Sequence, residues 1–194
     1  MSVTPSPIAP EFYADDPILV ARNLLGAILV HSHPVHGEMR AKIVETEAYR
    51  GEEDQACHAR AGRTPRTEAL YGPPGHAYVY LIYGMYDLFN VVAWPEGQPA
   101  GILIRGVEPL EGIDGKTHGP GRLTRAMHIN RDYHGVPLWK GNLCIMHGEP
   151  IPEKQVRSGP RIGVDYAGNW AQKPWRFWIN NNPYVSVKPP KSKS

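Results

Sequence analysis

Proline and glycine break this chain into short pieces. Twenty of each fall among its 194 residues. For proline that is about twice average usage, and every proline fixes φ and removes a backbone donor. Many loops and few long helices are therefore expected. What remains buildable is a set of short strands and tight turns with a few capped helices. Hydrophobic residues make up 41% and charged residues 21% of the chain. At this length that supplies one hydrophobic core rather than two independent ones. The sequence predicts a single domain over residues 11–187, a flexible segment at 1–10, and a basic flexible tail at 188–194 (KPPKSKS).

The punctuation marks out the elements. Asp16-Pro17 reads as an N-cap and first turn, PILVARNLL as the helix body, and Gly26 as its stop. Ala27–His31 and Met39–Tyr49 read as strands around the turn His33–Gly37. Thr64-Pro65 opens a short helix through Leu70. Tyr78–Tyr83 and Tyr86–Ala93 form a hairpin about Gly84, and Gly101–Val107 is another strand. Gly119-Pro120-Gly121 opens a helix through Met127, and strands return at Leu143–His147, Arg161–Val164 and Trp175–Ile179. Strands joined by short turns with helices beside them predict an α+β fold on a curved antiparallel sheet.

Several functional classes drop out. The first ten residues have no basic start and no apolar core, so they do not read as a signal peptide. The longest apolar stretch, Leu24–Val30, is too short to cross a bilayer. Cys57 and Cys144 form no motif, as suits a reducing compartment, either cytoplasm or nucleus. His36-Gly37-Glu38 and His147-Gly148-Glu149 resemble half of a zinc deaminase signature, but no C-x-x-C completes it. His31, His33 and His36 are compatible with a metal clamp, although a polar turn is the simpler reading, and we expect no metal and no cofactor. Gly119-Pro120-Gly121 lacks the rest of a dinucleotide loop or P-loop, yet opens a helix whose amides could meet a phosphate. Charge is uneven: residues 1–97 hold 7 Lys and Arg against 12 Asp and Glu, and residues 98–194 hold 14 against 7. The basic half is compatible with a polyanionic partner.

Three segments could carry chemistry. In Ile43–Tyr49, strand alternation puts Glu45, Glu47 and Tyr49 on one face and Val44, Thr46 and Ala48 on the other. That polar face is either ordinary surface or a site. In Tyr78–Tyr86, Tyr78 and Tyr80 share a face. Tyr83 sits before the turn glycine at a hairpin tip, where a protruding aromatic can pry base steps apart. In Ile102–Arg105, a charge ends an apolar run, and a buried Arg needs a carboxylate, for which Glu45 or Glu47 would serve. His58 follows the acidic stretch Glu52–Asp54, and its meaning depends on its neighbours.

Together these segments resemble the alkyladenine (3-methyladenine) DNA glycosylase family. The likeness runs through DPILVARNLLG, IVETEAY, YVYLIYGMYDLFN, ILIRGVEPLEG, HGPGRLTRAMHIN, RIGVDYAG and PYVSV, with Asn169 departing from the acid expected there. The resemblance implies one α+β domain whose β-hairpin protrudes into the DNA minor groove. It implies a monofunctional, monomeric enzyme acting on duplex DNA that contains damaged purines, of the 3-methyladenine, 7-methylguanine, hypoxanthine and ethenoadenine class. Glu47 would be the general base and Arg105 its holder. Tyr49, His58 and Tyr80 would wall the base pocket, with Asn90 at its floor against the purine C2 edge. Tyr83 would fill the gap left by the flipped nucleotide, with Met85, Gly119 and Arg122 touching DNA. A non-catalytic nucleic-acid-binding module and a hydrolase of free nucleosides are the alternatives.

Overall fold

The computed structural model of the protein describes residues 6–187. Among them, eight strands form one antiparallel sheet: β1 (Ile28–His33), β2 (Gly37–Arg50), β3 (Ala77–Ile82), β4 (Tyr86–Val92), β5 (Ala100–Glu111), β6 (Leu143–Met146), β7 (Val156–Gly159) and β8 (Arg176–Ile179). The order is β3-β4-β5-β2-β1-β6, with β8 on β2 and β7 on β8. Strand β2 is the axis. One edge follows β5 throughout, while the other pairs β1 up to Lys42 and β8 from Glu45 onward. This change of partner curls the sheet into a half-barrel. The three short helices, α1 (Pro10–Tyr13), α2 (Pro17–Asn23) and α3 (Pro120–Ala126), each carry proline in the first turn. Asp16 caps α2 by accepting from Ile18 N at 2.8 Å.

The two faces of the sheet divide the labour. Val44, Ala48, Phe89, Val91, Ile102 and Ile104 point to the main core, where Val20 of α2 and Leu123 of α3 meet them. Thr46 shares that face and donates its hydroxyl to Ala21 O at 2.7 Å, so its burial leaves no polar group unpaired. The opposite face carries Glu45, Glu47, Tyr49, Asn90, Leu103 and Arg105. Surrounding loops partly cover it through two small apolar clusters, one around Cys57, Leu70 and Tyr78 and one around Ala56, Val164 and Ala167.

The β3–β4 hairpin turns through Tyr83 and Gly84, both at positive φ (53° and 67°). The turn end of β4 is clasped to α3. A Cβ on Gly121 would lie 2.8 Å from the Tyr86 ring, so glycine is what lets the helix approach. Arg125 lies over Tyr86 at 5.5 Å, and Thr124 donates to Asp87 O at 2.7 Å.

Three expectations about elements change. Arg161–Val164 is not a strand: Pro160 ends β7 and Gly163 takes φ 74°. The strand is instead the preceding Val156–Gly159, an exposed edge without apolar alternation to announce it. Thr64–Leu70 is a Thr64–Thr67 turn followed by a 3-10 turn, Glu68–Tyr71, because Thr67 spends its hydroxyl on Gly62 O and the residues before it. The expected flexible segment 1–10 lies partly outside the described residues, as does the tail 188–194. Within 6–10, however, the chain is packed: Ile8 is buried and its N–H donates to Ile145 O at 2.8 Å. Among the described residues no helix is long and apolar enough to cross a membrane.

If the domain begins at Ser6 rather than Glu11, Ile8→Ala should cost about 2–4 kcal/mol of folding stability, the usual range for a buried Ile. Urea unfolding of the two proteins measures it, and a loss within error of zero would restore the later boundary.

Candidate active site

The site begins with a break in register. Between Ile43 and Thr46 the β2–β5 ladder carries bulges: Glu45 pairs Gly106 while Thr46 pairs Ile104. Arg105 is passed over, and its side chain reaches across β2. Its Nη1 lies 3.4 Å from Glu47 Oε2, and its Nε lies 3.5 Å from Glu45 Oε1. Both carboxylates have no exposed surface. This face is therefore not surface, and the acids are not ordinary surface charges.

Each carboxylate is held from several sides. Glu45 accepts from Arg176 Nε at 2.7 Å, and from Ser186 N and Oγ at 2.5 and 2.9 Å. Glu47 Oε1 accepts from Ile162 N at 2.6 Å, and Oε2 accepts from the Tyr49 hydroxyl at 2.7 Å as well as from Arg105. That fills three of the roughly four acceptor sites of a carboxylate and leaves room for one more donor, such as a water. Arg105 spends two of its nitrogens on Glu47, Glu45 and Ser186, and lines the cleft above with the rest.

The cleft has a volume of about 560 Å³. Tyr49, His58, Tyr80, Tyr83, Asn90 and Arg105 all line it, so the structure brings these predicted residues together. Glu47 lies just beneath, bonded to three lining residues. Tyr49 is pinned by its bond to Glu47 and by the Arg161 guanidinium 4.7 Å from its ring centroid. Burial, then the Glu47 charge, pushes its hydroxyl well above the usual tyrosine range, so it stays a donor. His58 Nδ1 lies 3.0 Å from the Tyr78 hydroxyl, and its ring meets Tyr80 edge-on at 4.6 Å. Burial, followed by the charges of Arg66 and Arg60, lowers His58 to about 4. Asn90 is buried at the floor, with Nδ2 donating to Tyr78 O at 3.1 Å and Leu88 O at 3.4 Å.

At the rim, Tyr83 is 84% and Met85 63% exposed. Gly119 and Arg122 also line the cleft. The Gly119 amide, however, donates to Arg105 O at 2.9 Å and Pro120 has no N–H, so the expected phosphate cradle at this helix start is not available from them. Gly119 instead fixes the backbone of Arg105.

The methylpurine-DNA glycosylase family model matches residues 11–183. The chain belongs to this family. It is 51% identical over 183 residues to a Myxococcus xanthus protein named "Putative 3-methyladenine DNA glycosylase", covering 93% of both chains. Proteins of the same name from Anaeromyxobacter dehalogenans and Bacillus cereus are 49% and 44% identical over 92% of this chain, spanning 85% and 98% of their own lengths. The chain is thus a DNA glycosylase of the methylpurine type.

The glycosylase site also contains residues that the sequence reading did not assign. Arg161 and Asp54, both fully buried, pair at 2.5 and 2.8 Å, and Arg161 also donates to Ala48 O. The pair ties the loop bearing Ile162 to the end of β2, which aims the Ile162 N–H at Glu47. Arg176 had the same sequence signal as Arg105, a charge inside an apolar strand (Trp175–Ile179). Arg161 had none, because it lies in a loop, outside any apolar strand that would mark a charge as buried.

His58 gives the glycosylase a pH signature. Its pKa is depressed in the folded state and about 6.5 in the unfolded chain. The unfolded state therefore binds more protons between those values, and stability falls as pH drops from about 6.5 towards 4. His58→Gln should flatten that part of the curve. Urea midpoints across this range test it, and an unchanged slope would mean that His58 is not the titrating group.

Proposed function

We propose that this glycosylase flips a damaged purine out of duplex DNA and hydrolyses its N-glycosidic bond with a water activated by Glu47. The observation that carries the reading is a buried carboxylate with one acceptor site left, flanked by Arg105, directly under an aromatic cleft of about 560 Å³, ample for a purine.

Breaking the bond between the purine and C1′ sends the electron pair to the base and builds positive charge on the sugar. Glu47 offsets that charge and takes the proton of the water that attacks C1′. One carboxylate suffices for alkylated purines, which are cationic and leave as neutral bases. The faces of Tyr49, His58 and Tyr80 supply stacking worth about 1–3 kcal/mol per base contact, and the two tyrosines attract a cation. Hypoxanthine and ethenoadenine, like 3-methyladenine and 7-methylguanine, offer a π-face to the same walls. Asn90, tethered through Nδ2 to two carbonyls, is rigid, so exclusion of the guanine 2-amino group there is steric. Tyr83 and Met85, at the exposed hairpin tip, are suited to occupy the space vacated by the flipped nucleotide, and Arg122 to meet phosphate.

Two other readings fit less well. A binding-only module has no use for Glu47 and Arg105 converging beneath the cleft. A free-nucleoside hydrolase has no use for an exposed tyrosine at a hairpin tip.

A panel of duplexes, each with one defined lesion, tests the proposal by abasic-site formation, with the free nucleosides alongside. Excision is expected from duplex and not from nucleosides. No lysine lines the cleft among the described residues, so borohydride should trap no imine with DNA. A trapped adduct would replace the water mechanism with an amine nucleophile, and nucleoside-only turnover would overturn the duplex reading.

A further inference from the structure

Beside the hairpin, away from the cleft, three imidazoles converge from two segments. His33 and His36 come from the β1–β2 turn, and His128 comes from the residue pair after α3. The ring of His36 stacks on His128 with centroids 3.7 Å apart and an interplanar angle of 11°. His33 approaches His36 at 4.6 Å and His128 at 5.4 Å. Stacked rings aim their nitrogens in parallel planes rather than at one point. Accordingly, no group of three or more ligands among the described residues is arranged to hold a metal.

Among the described residues none of these rings is ion-paired to a carboxylate. Asp87 on β4 is paired with Arg131 at 3.2 Å, Asp132 accepts from Asn130 Nδ2 at 3.1 Å, and Glu38 on β2 is engaged by Arg40 at 3.3 Å. The fourth histidine, His31, is buried and fixed between Met127 O and the Tyr133 hydroxyl. Arg125, at the end of α3, has no carboxylate partner among the described ion pairs and shares a depression with His33 and His128. This depression of about 330 Å³ is also lined by Met85 and Tyr86 of the hairpin, Asn130, and Asp87, whose carboxylate Arg131 holds at 3.2 Å.

We propose that this depression is a second DNA contact, in which His128, with His36 stacked on it, and Arg125 hold backbone phosphate beside the inserted hairpin with a strength set by imidazole protonation, and His33, whose Nδ1 is taken by two turn amides, donates from Nε2. It rests on the reading of the chain as a duplex-DNA glycosylase. Burial and the nearby His36 and His33 lower His128 below its ordinary value. A phosphate in the depression offsets this repulsion, so binding and protonation reinforce each other. Affinity then rises as pH falls, through contacts separate from those that excise the base.

The triple variant His33→Asn, His36→Gln, His128→Asn removes the titration and is compatible with the backbone. The His33→Asn side chain can accept from the turn amides that His33 Nδ1 now serves, at 3.1 and 3.2 Å. Asparagine also tolerates the positive φ of 52° at His128. The measurement is fluorescence anisotropy of a labelled lesion-free duplex at about pH 8 and about pH 6, at matched ionic strength and with EDTA present. The wild-type protein should tighten about fivefold or more at the lower pH, with a salt slope steeper by about one, as for one added phosphate contact. The triple variant should change less than about twofold, and the His36→Gln single variant should fall between. A triple variant that keeps the full pH response and salt slope overturns the proposal. Wild-type excision on the lesion panel, scored in parallel, separates the two levels. Excision with a surviving pH response in the triple variant removes this contact alone, whereas a wild-type protein that neither binds duplex nor excises removes the functional reading with it.

Discussion

Arg105 is the side chain on which the site depends. It reaches across β2 to touch two carboxylates that have no exposed surface. Either carboxylate alone in that environment would carry a desolvation cost of several kcal/mol. With Arg176 on Glu45, two guanidiniums face two carboxylates, and backbone amides from Ser186 and Ile162 complete the shell. The arrangement satisfies the physical rule that buried charges are paired and hydrogen-bonded. It also leaves one carboxylate, Glu47, with an acceptor position to spare under a cleft. The bulge in β2 and β5 makes this possible, because a regular ladder would have given Arg105 a direct cross-strand partner rather than passing it over.

Around this centre the fold separates rigid from exposed parts. Tyr49, Asn90 and Ile162 are each locked by a hydrogen bond, and the Asp54–Arg161 pair fixes the loop that carries Ile162. Removing one partner of such a buried pair typically costs about 3–5 kcal/mol, so the second pair braces the first. The hairpin behaves in the opposite way. Tyr86, the first residue of β4 after the turn, is clasped to α3 at Gly121, while Tyr83 and Met85 stand mostly in the open. A fixed floor and a supported but exposed tip are what a protein needs if it must hold a base in one geometry while displacing it from a stack.

Much of this was legible in the residues themselves. Alternation over Ile43–Tyr49 gave the correct face, because strand parity survives past the bulge. A charge at the end of an apolar run marked Arg105, and a turn glycine marked the exposed Tyr83. What alternation could not give was the burial of Glu45 and Glu47, since a polar face reads the same whether water or an ion pair covers it. The Arg161–Asp54 pair was hidden for a related reason: loop residues have no period, and contacts between segments so far apart in the chain leave no local trace. Thr64–Leu70 misled because a Thr-Pro start is equally good for a turn in which side-chain hydroxyls take over the backbone donors. Sequence also does not tell which amides the sheet has already used, as with that of Gly119, which bonds Arg105 O.

The most direct test of the central claim is a single-turnover comparison of wild-type and Glu47→Gln protein on a duplex bearing one excisable lesion, with lesion-DNA affinity measured in parallel. Glutamine keeps the shape and an acceptor oxygen but cannot take a proton. The account predicts that affinity stays within a few-fold while the excision rate falls by about 10²–10⁴, the range for loss of a general base. A Glu47→Gln protein that excises at the wild-type rate would contradict it and move the chemistry to another group.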